Sequence, residues 1–222
     1  MVERKIPMSG LEFIGKIVQN NERDLSGIKL EEGFDFSQER DAVGALKAYL
    51  KKHQALYYSP LNLAHSEFHH VNFNLRGAVI TNMLADYADF TRASFSGCSF
   101  DHSQFRNALF DDIIFTSSAN YVVSFPFSDF HSTSFRRAYL QKGQFIGSSF
   151  QYANFGYAQL AQANFGAADF CNAHGLETTI GLDQIHIGEM QGGRIKVNER
   201  ERRIIERAKC GQMFEVMNSY TN

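Results

Sequence analysis

Between Leu75 and Phe170 the chain keeps a period of five. Counting from Leu75, twenty successive fifth positions stay in register, and fourteen of them are Phe. A second column two residues earlier is mostly small: Ala78, Ala88, Ala93, Cys98, Ser103, Ala108, Ser128, Ala138, Gly143, Ser148, Ala153, Ala158, Ala163 and Ala168. A helix repeats at 3.6 residues and a half-buried strand at 2, so a period of five fits neither as a continuous element. It fits a solenoid in which each short unit sends one large residue to a common axis. One unit cannot bury its own apolar residue, but stacked coils bury a continuous column.

Four units read Ala88-Asp89-Phe90, Ala153-Asn154-Phe155, Ala163-Asn164-Phe165 and Ala168-Asp169-Phe170. They resemble the pentapeptide-repeat family, whose units read A(D/N)LXX or A(D/N)FXX. The resemblance implies a mainly β fold, a right-handed quadrilateral β-helix with four units per coil. Leu75 to Phe170 then makes five coils, stacked at about 4.8 Å. Every fourth unit shares a side, which predicts one ladder through Phe90, Phe110, Phe130, Phe150 and Phe170. Phe95, Phe115, Phe135 and Phe155 are further core positions. Asn120 stands where a large inward residue belongs and is read as an amide bonded to turn backbone.

Outside this block the pattern changes. Residues 1–58 are read as an N-terminal cap. In it Asp24 to Leu30 alternates like a strand, Phe34-Asp35-Phe36 looks like a degenerate repeat, and Ser37 is placed to cap one helix. Residues 59–175 are the β-helix. Its first units, with Leu63, Phe68 and Phe73, are two residues out of phase with Ile80, which predicts a bulge at Asn74–Gly77. Residues 176–222 form a C-terminal cap with one helix, opened by the capping box of Asn198 and Glu201. A solenoid end is a row of open strand edges, so caps have a physical purpose.

The formal charge is −2, which gives no basic footprint for nucleic acid. No apolar run is long enough for a membrane span, and the first residues lack a secretory signal. Cys98, Cys171 and Cys210 have no metal-ligand spacing. The expected compartment is the cytoplasm, and a bacterial effector exported without a cleaved signal fits the same sequence.

No phosphate loop, zinc signature or nucleophile elbow is present. A filled core leaves no substrate cavity, so the expectation is no enzyme and no cofactor. The outward side chains that could carry chemistry are His65, His69 and His70, with Glu67 near them, and the outward neighbours Asp111 and Asp112, with His131, twenty residues after Asp111, expected beside it on the next coil. Isolated surface histidines and a surface ion pair are the simpler readings of both groups.

The reading that follows is a non-catalytic scaffold for an unknown protein partner. The resemblance adds an alternative, since some pentapeptide-repeat proteins mimic duplex DNA and protect DNA gyrase from quinolones. Mimicry needs a single-sign acidic surface. Residues 75–170 carry seven acidic and six basic side chains, which disfavours it. An effector that binds a host protein is the third reading. The short C-terminal cap and the family resemblance together predict a homodimer through residues 195–219.

Overall fold

A five-residue unit has room for a three-residue extended edge and a tight turn. In the unit 88–92, Ala88 and Phe90 point inward and Asp89 outward, as strand alternation requires. Thr91 and Arg92 then turn the chain, and the Ala93 N–H donates to the Phe90 carbonyl at 2.9 Å. Arg92 has φ +58°, and the same turn position repeats a positive φ every five residues from Asn82 to Asp112 and from Phe127 to Asn172. A positive φ at the third residue, with that hydrogen bond, is the type II pattern.

The computed structural model describes residues 7–53, 60–116, 122–187 and 197–206. The units wind into a β-helix solenoid held by parallel bridges in four ladders. Side 1 runs through Asn62, Leu84, Gln104, Asp129, Ser149 and Asp169; side 2 through Glu67, Asp89, Leu109, Ser134, Asn154 and His174. Side 3 runs through Asn72, Ser94, Ile114, Tyr139, Gln159 and Ile180, and side 4 through Val79, Ser99, Ser124, Gln144, Asn164 and His186. Three stretches are regular enough to form strands: β1 (Asn72–Thr81), β2 (Ser94–Asp101) and β3 (Ile114–Thr116).

The spacing along these ladders is not uniform. Asn72 pairs with Ser94, but Ala78 pairs with Cys98, so two extra residues bulge from β1 between Asn74 and Ala78. Ser94 pairs with Ile114, twenty residues on, whereas Ser99 pairs with Ser124, twenty-five on. One whole extra unit therefore lies between Thr116 and Ser124. Asn120 belongs to it and lies outside the described residues. From Ser124 to His174 the spacing returns to twenty.

The extra unit overturns the ladder expected from the sequence. Phe90 stacks on Phe110 at 4.9 Å, but Phe110 then stacks on Phe135, not over Phe130, and Phe135 on Phe155. Phe130 belongs to side 1, between Phe105 and Phe150, with Phe170 below. The cause is arithmetic: a coil of twenty-five residues moves every later Phe one side back.

The small column does more than avoid crowding. Ser103, Ser128 and Ser148 are buried at successive coils. The Ser148 hydroxyl donates to the Phe125 carbonyl at 2.5 Å and accepts from the Ser128 N–H at 3.1 Å. Ser128 repeats this with the Phe100 carbonyl and the Ser103 N–H. Hydroxyls thus satisfy corner backbone groups that would be costly to bury bare.

The ladders reach back beyond residue 59, because Asp24 pairs with Asn62, Lys29 with Glu67 and Asp35 with Asn72. Between Asp35 and Asn62 the chain leaves the coil as helix α2 (Arg40–His53). Ser37 does not cap it: Asp35 accepts the Ser37 N–H at 2.8 Å, closing a short 3-10 turn ahead of the helix. Helix α1 (Gly10–Val18) is capped by Ser9 and buries Phe13, Ile14 and Ile17. Phe13 meets Phe36 and Phe68 edge-on. An apolar void of about 30 Å³ remains where α1 and α2 meet the coil interior, beside Leu63, Ile80 and Met83.

At the other end, 3-10 turns at Leu176–Thr178 and Leu182–Gln184 widen the last coil. Gly175 starts the first of them at φ +74°, and a Cβ there would lie 2.5 Å from the Gly156 nitrogen. Helix α3, residues 199–206, follows. Asn198 accepts from the Arg200 and Glu201 N–H groups, and Glu201 accepts from the Asn198 N–H. Ile205 is buried in the common core, with Ile204 packed against it.

Candidate interaction surface

The core positions leave little to choose between them: Phe90, Phe95, Phe110, Phe115, Phe130, Phe135, Phe150, Phe155 and Phe170 are all buried. Any difference in chemistry lies on the outside, in the residue before each inward Phe and in the turn after it.

Thirteen Asp, Glu, Lys and Arg residues lie between Leu75 and Phe170. Ten fall on sides 1 and 2 and the turns that follow them: Asp86, Asp89, Arg92, Arg106, Asp111, Asp112, Asp129, Arg136, Arg137 and Asp169. The other three are Arg76 in the β1 bulge, Asp101 on side 4 and Lys142 in the turn between sides 3 and 4. The molecule therefore has a charged half and a nearly uncharged half.

The charged half pairs its charges from coil to coil. Arg137 donates twice to Asp112, both at 2.8 Å. The Arg137 guanidinium holds the Asp112 carboxyl below the usual carboxylate range, and Asp112 raises Arg137 in return. Arg106 meets Asp129 at 2.6 Å. Burial of Asp89 opposes its ionisation, but hydrogen bonds from Thr91 and the contact with His69 outweigh it and lower its pKa.

The histidines do not converge. His69 faces Asp89 at 2.7 Å on the coil below, His70 faces Glu32 at 3.4 Å on the coil above, and His65 stacks on Tyr87. Glu67 pairs with Lys29. Among the described residues no group of three or more His, Cys, Asp or Glu could hold a metal ion. The expected pair of Asp111 and His131 is corrected. Asp111 accepts from the Ser134 hydroxyl and the Arg136 N–H, while the His131 ring lies against Tyr152 on side 1. The same extra unit separates them by one side.

The uncharged half carries Ser94, Ser96, Ile114, Tyr139, Gln141, Gln159 and Ala161 on side 3, and Ser124, Pro126, Gln144, Ile146, Asn164 and Gly166 on side 4. On side 3 Ile114 is 46 % exposed, Tyr139 42 % and Ile180 61 %. At the turn after side 4, Phe127 is 56 % exposed, stacked on His102 and lying over Gly147, where a Cβ would come within 2.5 Å of the ring. Sequence reasoning did not single out Ile114, Tyr139, Ile180 or Phe127. Assigning them to sides requires the length of every coil.

Cys98 is buried, and burial pushes its thiol up. No helix among the described residues is long and apolar enough to cross a membrane. The predicted association segment, 195–219, lies mostly outside the described residues. Its described part, α3, lies on the chain's own last coil, with Asn198 bonded to Asn172 and Arg200 to Glu177.

No curated protein matches the chain. Among solved structures, a trypsin-treated variant of QnrB1, a plasmid-mediated fluoroquinolone resistance protein, is similar at 15 % identity. The match covers 84 % of this chain and 91 % of that one, with a TM-score of 0.42. Rfr23, a pentapeptide repeat protein from the cyanobacterium Cyanothece 51142, is similar at 13 % identity, covering 69 % and 94 %, with a TM-score of 0.23. HetL from the cyanobacterium Nostoc sp. strain PCC 7120, involved in heterocyst differentiation regulation, is similar at 16 % identity, covering 82 % and 95 %, with a TM-score of 0.23. The family model for pentapeptide repeats matches in eight copies over residues 74–112 and 128–166. The gap between those two spans brackets the extra unit. The five-residue units that bridge into stacked parallel coils are, over these two spans, the pentapeptide repeats that the family model describes.

Proposed function

We propose that the chain is a non-catalytic scaffold for protein–protein interaction and that it docks its partner on the uncharged half, sides 3 and 4. The coil is read as right-handed, with the terminal helices as its caps and the cytoplasm as its compartment. The observation that carries the reading is the segregation of charge. Interface centres are depleted in charged residues and enriched in aromatic ones. Sides 3 and 4 offer that surface, whereas sides 1 and 2 carry the charges, with Arg106 on Asp129 and Arg137 on Asp112. The interior supports a non-catalytic role, because a Phe-filled axis with an apolar void of about 30 Å³ holds no substrate and presents no polar group to one.

Duplex mimicry is not favoured by the same distribution. It needs an acidic column free to meet a DNA-binding surface, and here Asp112 is held by Arg137 and Asp129 by Arg106. A gyrase supercoiling assay with a quinolone is expected to show no protection by this protein.

Capture from native lysate tests the scaffold reading. Gln144→Arg with Ile146→Glu charges the uncharged half, and Arg136→Glu with Arg137→Glu inverts part of the other. A captured protein should be lost with the first variant and kept with the second; the reverse pattern sinks the reading.

A further inference from the structure

The geometry points to a second copy of this chain as one partner of the uncharged half, docked through the ladder Ile114, Tyr139, Gln159 and Ile180 on side 3. The inference rests on the scaffold reading and names an occupant for it. These four residues are successive rungs, because Ile114 bridges to Tyr139, Tyr139 to Gln159 and Gln159 to Ile180.

The order of the rungs is what selects the partner. A two-fold interface presents the same patch from both chains, so the patch must match itself when reversed. Read from either end, this ladder has an Ile at the rim and a polar-tipped side chain inside. A two-fold axis lying in the interface, parallel to side 3 and perpendicular to the solenoid axis at the level between Tyr139 and Gln159, sets Ile114 against the partner's Ile180. It also sets Tyr139 against the partner's Gln159, a ring and a hydroxyl facing an amide. All three apolar members are exposed by more than two-fifths, although the inward residues beside them are fully enclosed.

Charge points the same way. The strand and turn residues flanking the middle of the ladder, Ser96, Gln141 and Ala161, carry none; Asp112, Arg137 and Lys142 keep to the corners, and Glu177 and Asp183 flank Ile180 at the rim. The centre of two such sides comes together without stripping an ion of water, which is the cost that burying sides 1 or 2 would incur. Stacked rungs at about 4.8 Å make a patch roughly 14 Å long between its end residues. One solenoid side is small beside the roughly 800 Å² per partner of a standard interface. The dimer is therefore weak, reversible and dependent on concentration.

Sedimentation of the full chain across about 10 µM to about 1 mM spans the range of weak association constants. The wild type should gain mass with concentration, and Tyr139→Glu should remain a monomer with an unchanged far-UV spectrum. Cross-linking then reads the geometry. In a background of Cys98→Ala, Cys171→Ser and Cys210→Ser, Ile114→Cys with Ile180→Cys should form covalent dimers under a mild thiol oxidant. Ile114→Cys alone should not, because the two copies of position 114 stand about 14 Å apart along the axis, beyond the roughly 7 Å Cα reach of a disulfide. A monomer at every concentration overturns the dimer and leaves the capture experiment standing. Association that survives Tyr139→Glu but is lost in Phe214→Glu with Met217→Glu overturns it as well, by moving the interface to the C-terminal segment.

Discussion

Side 2 and side 3 are built from the same five-residue unit and adjoin along one corner, yet they differ inside and out. Inside, side 2 is an unbroken aromatic stack: Phe68, Phe90, Phe110, Phe135 and Phe155, each stacked on the next at about 5 Å. Side 3 begins in the same way with Phe36, Phe73 and Phe95. It then loses the stack. Phe115 turns edge-on to Phe95 and lies parallel to Phe125 and Phe145 instead. Leu140 and Leu160 fill the coils below. Outside, side 2 carries Asp89, Asp112 and Arg137, and side 3 carries Ile114, Tyr139 and Ile180. A repeat thus fixes the backbone of every side equally and leaves chemistry to be assigned side by side.

The largest test of that difference is in the core. Phe135→Ala removes a ring stacked on both neighbours and should cost about 3–5 kcal/mol, and Leu140→Ala on side 3 about 2–5 kcal/mol. Denaturant titration of both variants checks the ranges. A loss below about 1 kcal/mol for Phe135→Ala would contradict a continuous stack.

Next is the hydroxyl ladder along the corners. Ser148→Ala strands the Phe125 carbonyl and the Ser128 N–H, both buried, and should cost about 1–3 kcal/mol. An unchanged unfolding midpoint would show that the corner backbone finds other partners.

The ion pair outside side 2 should contribute less than either, since exposed pairs are screened by water. Its signature is the pH dependence. The Asp112 pKa is lowered in the folded chain by Arg137. Its contribution is therefore complete above the ordinary carboxylate pKa and is lost as pH falls through the lowered folded value. The stability gap between wild type and Asp112→Asn should be present at neutral pH and should close in acid. A gap that widens in acid would reverse the assignment.

The smallest expected effect is on side 3. Tyr139→Glu adds a charge to an exposed rung and should leave stability within about 0.5 kcal/mol, the usual range for a surface substitution. A larger loss would mean that the Tyr139 ring supports the coil rather than facing outward to a partner.

Much of the solenoid is legible in the residues. Phe at every fifth position and Ala or Ser two before it can be satisfied by stacked coils, since only there does each unit complete its neighbour's core. The β1 bulge is legible too, because a two-residue phase change between Phe73 and Ile80 has nowhere else to go. Helix α2 shows in the spacing of Val43, Leu46 and Leu50, all buried. Its place as an excursion inside a coil does not show, because the pairing of Asp35 with Asn72 spans a separation that no local pattern encodes.

The surface was less legible for a reason of the same kind. An unbroken period of five gives no hint that the unit around Asn120 is extra, since counting along the chain is blind to which units pair. Asp111 and His131 looked like neighbours by that count. The sequence by itself determined the inward column, the small corners and the kind of coil, because alternation and volume act within a few residues. Only the tertiary structure decided which outward residues share a side, since that depends on the number of residues in each coil and one added unit rotates everything after it. The charged and uncharged halves exist only in that arrangement, where Asp112 finds Arg137 across twenty-five residues and Ile114 finds Tyr139.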